Sequence, residues 1–181
     1  MERFTGAILK SVEVGNFYGA LFMSLTMPDI CARLSSENDK TNGKKYGSWF
    51  NEFMGPKYSI FRPHSGQTDI FMSGDSCYAL RCAMLHQGEA DLTGQRVKSI
   101  LTSIHFTTGS THCNRINGVL QLDVATFCTD MCEAVSTWYE KFKKSDTSAE
   151  KLETLITIYY GESSIMGGAV VFGAIHNPKT N

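Results

Sequence analysis

The pattern across residues 122–142 limits the fold more than any other stretch. Val124, Phe127, Cys128, Met131, Cys132, Val135, Trp138, Tyr139 and Phe142 recur at three- and four-residue intervals, so one face of a long helix is apolar. The opposite face carries Asp123, Thr126, Asp130, Glu133, Ser136, Thr137 and Glu140, a solvated surface. Lys141, Lys143 and Lys144 follow in the last turn, where cations suit the helix dipole. Such a stripe needs other apolar faces to pack against, because helices in water take most of their stability from packing.

Several upstream segments supply those faces. Phe17, Ala20, Leu21, Ser24 and Leu25 predict a helix from Asn16, which Pro28 is expected to break, restarting a second one over 28–34. Residues 35–43 are polar and read as an exposed loop. Tyr46, Trp49, Phe50 and Phe53 place another helix over 44–54, closed by Gly55-Pro56. Segment 8–14 reads as a lead-in turn, and 57–72, which lacks a helical period, as a surface crossing.

Segment 73–88 is the most apolar helix. Ser73, Asp75 or Ser76 can cap its start, and Gly88 suits the position just past its end. Tyr78, Ala79, Leu80, Cys82, Ala83, Met84 and Leu85 leave little polar surface between, which predicts a central position. Arg81 and His86 therefore need a reason to be there.

Further on, Ile100, Thr102, Ile104 and Phe106 alternate, favouring a strand in the second half of 96–107. Segment 115–120, with Asn117-Gly118 inside it, is its partner or a turn. In the tail, 152–160 is a hairpin arm or a short helix, 161–164 a polar bend, and 167–175 a strand. The fold class expected is mainly α: a helical bundle over 1–145 with a small β element before the last long helix. A β or mixed appendage over 146–181 would pack on that bundle or on a partner subunit.

Net charge is −1, so no global basic field announces a nucleic-acid partner. That counts against a tight DNA binder, not against an enzyme that touches RNA briefly. No window approaches the ~20 apolar residues of a membrane span, and the first residues lack a signal-peptide core. A cytoplasmic protein without a membrane role is the expectation, and its six cysteines are then reduced and mostly buried. A zinc site built from His112, Cys113, Cys128 and Cys132 is the alternative, although no Cys-x2-Cys pair is present. His64, His105 and His176 read as surface or packing residues, and His112-Cys113-Asn114 as a cluster able to fold over the central helix. No phosphate-binding glycine loop or other cofactor signature occurs, so no cofactor is expected.

The run Cys-Tyr-Ala-Leu-Arg-Cys-Ala-Met-Leu-His-Gln-Gly, with its Arg-x4-His spacing, resembles the signature helix of HEPN domains (higher eukaryotes and prokaryotes nucleotide-binding). The resemblance covers 73–88, more loosely 122–142, and not the tail. It implies a compact bundle of about four helices and, in many members, a metal-independent ribonuclease of toxin–antitoxin, abortive-infection or other antiviral defence systems. Its implied site is composite: Arg81 and His86 of two subunits meet at a homodimer axis, on an RNA substrate, and an antitoxin protein is a further implied partner. Helix geometry fits a shared site, since residues five apart are separated by ~140° around one helix. Arg81 would bind the scissile phosphate, and His86 would move protons between the ribose 2′-hydroxyl and the leaving 5′-oxygen. One position departs from the pattern: Cys82 stands where active members carry a polar residue, and a thiol is a poor hydrogen-bond partner. The alternative is a non-catalytic HEPN-like module that binds nucleotide or protein and dimerises. An incidental structural pair is the third reading, with Arg81 on a carboxylate such as Glu89 or Asp91 and His86 capping the helix end.

Overall fold

The computed structural model describes residues 1–86 and 102–158, and the backbone of 163–166 and 169–172; the side chain of His86 is outside this set. The chain divides into two compact units, Met1–Ser148 and Ala149–Asn181. The described part is mainly helical with small sheets, and none of its helices is long and apolar enough to cross a membrane.

In the first unit, helix α1 (Glu2–Glu13) packs on α2 (Phe17–Leu34), which also meets α3 (Gly43–Phe53), α4 (Gly74–His86) and α5 (Val124–Phe142). Helix α2 is the hub. Its Ala20, Leu21, Leu25, Met27, Cys31, Ala32 and Leu34 are all buried. That explains the first correction to the sequence reading: Pro28 lies inside one continuous helix rather than between two. An interior proline costs ~3 kcal/mol, and burial on several sides offsets it. The second correction concerns 8–14, which belongs to α1 rather than to a turn. The helix is amphipathic over Glu2–Glu13, although Ile8 alone is buried, so the segment from residue 8 onward displays only part of its period.

Helices α3 and α4 approach closely through glycine. A Cβ built on Gly74 would lie 2.1 Å from the Gly47 carbonyl oxygen, and one on Gly43 would lie 2.5 Å from the Tyr78 ring. Between these helices, after a 3-10 turn at Gly55–Lys57, strands β1 (Ser59–Arg62) and β2 (Gln67–Ile70) form an antiparallel hairpin. This hairpin stands where a surface crossing was expected. Both strands are largely exposed, so no alternation of apolar and polar residues betrays them.

Strand β3 (Ile104–Thr107) falls in the second half of 96–107, where a strand was expected, although residues 102 and 103 are helical; its neighbour is β5 (Val119–Asp123), in parallel pairing. Strand β4 (Asn114–Ile116) pairs antiparallel with β5. Asn117 and Gly118, at φ 51° and 81°, close that two-residue hairpin, as expected for an Asn-Gly turn. Leu122 and Asp123 therefore end a strand instead of starting the long helix. The Asp123 side chain caps α5 by accepting from the Thr126 amide at 2.7 Å.

At the junction between units, helix α6 (Ser148–Glu153) is short. In the second unit, strands β6 (Ser163–Met166) and β7 (Ala169–Phe172) pair antiparallel. The hairpin partner of β7 is therefore 163–166, which overlaps the end of the segment read as a polar bend, rather than 152–160.

Candidate functional site around Arg81

Helix α4 starts as its sequence predicts. Ser73 Oγ accepts from the Ser76 amide at 3.2 Å, and Asn51 Oδ1 accepts from the Gly74 amide at 2.7 Å. Below the helix, Tyr46 is fully buried and donates from its hydroxyl to the Leu25 carbonyl at 3.0 Å, with Cys77 Sγ at 3.3 Å. Burial, reinforced by the nearby Asp29 charge, pushes the Cys77 thiol up to about 12. Burial first, then the neighbouring Cys77, likewise holds the Tyr46 phenol neutral. The floor of the site is thus a set of uncharged groups without a thiolate nucleophile.

Arg81 sits above that floor, and its Nε lies 2.8 Å from Asp29 Oδ2 on α2. Both side chains are mostly buried, 19% and 16% exposed. This carboxylate comes from another helix; Glu89 and Asp91 lie outside the described residues. The contact uses Nε, one of five donors on the guanidinium fork. The two atoms meet as an ion pair without hydrogen-bond alignment, so the carboxylate balances the buried cation without orienting its fork. Asp29 carried no signal in the sequence, being a single acid just after a proline.

Cys82 does not face the same way. It is 2% exposed and hydrogen-bonded to Tyr78, which, together with burial, raises the Tyr78 phenol. His86 is the last residue of α4. Its side chain, Gly88 and His176 lie outside the described residues.

His112 and Cys113 do not fold over α4. They lie against α5, where His112 Nε2 is 3.9 Å from Asp130 Oδ2 and the imidazole stands edge-on to Tyr58 at 5.4 Å. Asp130 also accepts from Lys57 Nζ at 2.5 Å and from the Tyr58 hydroxyl at 3.2 Å. Burial works against the Lys57 ammonium, but hydrogen bonds to Asp130 and Glu133 outweigh it and raise its pKa. Burial, then the Asp130 charge, pushes the Cys113 thiol up to about 11. His64 lies in the β1–β2 turn and His105 is exposed on β3.

The four candidate zinc residues are not brought together: Cys132 Sγ points to the Thr5 carbonyl at 3.7 Å, while His112 and Cys113 lie beside Asp130. Among the described residues no group of three or more His, Cys, Asp or Glu side chains is placed to hold a metal, and the six cysteines are unpaired.

Compared with protein-family models, with curated proteins and with solved structures, the chain matches none.

Proposed function

We propose that the chain is a metal-independent endoribonuclease of the HEPN type, acting in a bacterial defence or toxin–antitoxin setting through Arg81 and His86 at a homodimer interface. The observation that carries this reading is the Arg81–Asp29 ion pair, which keeps a charge-balanced cation in the C-terminal half of a capped, central helix. The fork bonds a non-bridging phosphate oxygen and stabilises charge as it develops. His86, one turn further on, takes the 2′-hydroxyl proton or protonates the leaving 5′-oxygen, giving a 2′,3′-cyclic phosphate and a 5′-hydroxyl. Since the two side chains diverge around one helix, the two-fold axis supplies His86 of one copy to Arg81 of the other.

The second reading is a non-catalytic HEPN-like dimerisation module. It is favoured by Cys82, whose thiol turns toward Tyr78 and brings no polar group to Arg81.

Incubation with labelled RNA in EDTA separates the two. The nuclease reading requires cleavage by the parent and a loss of ~100-fold or more in Arg81→Ala and in His86→Ala. Equal cleavage by His86→Ala and parent overturns it. Dimerisation without cleavage selects the second reading, and a strict monomer by light scattering removes the shared site.

A further inference from the structure

A groove of about 690 Å³ opens away from Arg81, between the C-terminal end of α2, the length of α3 and the last turns of α5. That volume lies within the ~300–1,000 Å³ of small-molecule sites. Its walls are aromatic: Trp49 and Phe53 at 5.1 Å between centroids on one side, Trp138 stacked on Phe142 at 4.8 Å on the other. Its rim is basic. Lys44, Lys45 and Lys141 line it, against one acid, Glu52.

The three lysines differ. Lys45 is tied down, donating to Ser36 Oγ, to Asn38 Oδ1 at 3.1 Å and to the Lys40 carbonyl at 2.8 Å, so it builds the rim from the 36–40 loop. Lys141 bonds Glu52 at 3.1 Å and lies over the Phe53 ring at 4.7 Å. Lys44 is exposed and has no ion pair among the described residues. In a chain of net charge −1, this local excess of positive charge beside flat apolar walls is a departure that packing alone does not require. One wall residue also has an unused donor: Trp49 is 5% exposed, and its indole N–H finds no acceptor among the described residues.

We infer that this groove binds a planar aromatic ring bearing an anionic group, the ring against the tryptophan–phenylalanine walls and the anion on Lys44 and Lys141. Aromatic walls select a flat partner through stacking. Lysine supplies a point charge, suited to either a phosphate or a carboxylate. Two sources share that chemistry: a nucleotide, free or within RNA, and an aromatic carboxylate. The site is separate from Arg81 and stands whether or not the chain cuts RNA.

The protein's two tryptophans both line this groove, so intrinsic fluorescence reads it directly. The experiment titrates the full chain with 5′-AMP and, in a second arm, with benzoate, using adenosine, benzyl alcohol and inorganic phosphate as controls. Saturable quenching by at least one of the two anions is expected, with the controls at least about tenfold weaker. A response to 5′-AMP alone assigns a nucleotide, to benzoate alone an aromatic carboxylate, and to both the shared class. Lys44→Ala with Lys141→Ala should weaken binding at least about tenfold with an unchanged circular dichroism spectrum. Arg81→Ala, outside the groove lining, should leave the titration unaltered. Absence of saturable quenching by both anions, phosphate binding as tightly as 5′-AMP, or an unaffected double-lysine variant each overturns the inference.

Discussion

Two carboxylates on two helices, Asp29 on α2 and Asp130 on α5, are used in opposite ways. Asp29 Oδ2 lies 2.8 Å from Arg81 Nε as an ion pair, and both side chains are mostly buried. Asp130 gathers Lys57, the Tyr58 hydroxyl and the edge of His112 from separate parts of the chain. The first arrangement balances a mostly buried cation; the second ties the 3-10 turn and the β3–β4 loop onto the long helix. A histidine beside a carboxylate looks like catalytic machinery, but here it belongs to the tie.

Breaking the buried pair should have the largest effect. Asp29→Ala leaves the guanidinium mostly buried without its counter-ion and should cost about 3 kcal/mol, measured by urea unfolding. Replacing both members, Asp29→Leu with Arg81→Met, should recover most of that loss, because an apolar pair of similar volume avoids the desolvation cost. If the double variant is as unstable as Asp29→Ala, the pair is more than a compensated charge.

Asp130→Ala should come next, at about 2 kcal/mol, since it leaves the buried Tyr58 hydroxyl without its acceptor. Adding Tyr58→Phe should cost less than it does in the parent, and a double-mutant cycle measures that coupling. Additive effects would show that the hydroxyl does not depend on Asp130.

Alkaline titration sharpens the contrast further. The Cys113 thiol is raised from its ordinary value of 9.0 to about 11, by burial and then by Asp130, so the fold favours its neutral form. Its contribution is complete below about pH 9 and is lost as pH rises through about 11. Because Cys113 is partly exposed, about 1 kcal/mol is expected from it after solvent screening. Cys113→Ser should flatten the alkaline fall in stability, and thermal melts between pH 8 and 11 would check this. The smallest effect belongs to Glu133→Gln: its side chain is 60% exposed and Lys57 keeps Asp130, so a loss below about 0.5 kcal/mol is expected in the same unfolding assay.

The contrast also separates what the chain's sequence reveals from what it hides. Helix α5 was legible because its burial repeats with the helical period, and α4 because its run is apolar almost throughout behind the local Ser73 cap. The β1–β2 hairpin was not, because neither of its strands has a buried face to mark an alternation. The continuity of α2 across Pro28 was hidden for another reason: tertiary burial overrides a local penalty that the sequence displays plainly. Arg81 stood out as a cation in an apolar helix, whereas Asp29 did not, since its pairing is created by the crossing of α2 and α4. The tie at Asp130 was equally hidden, its donor Lys57 lying 73 residues away.

The glycine contact between α3 and α4 has a consequence for how this chain can change. With Gly74 against the Gly47 backbone, the spacing of the two helices is set by main chain rather than by side-chain fit. Mutations elsewhere in a core can be absorbed by a neighbouring rotamer, but here there is no side chain to yield. Even one methyl at position 74 would have to drive the helices apart, carrying the segment that bears Arg81 away from its neighbours. The groove rim and the arginine helix can therefore vary around this seam, while the seam itself leaves almost no neutral path for substitution.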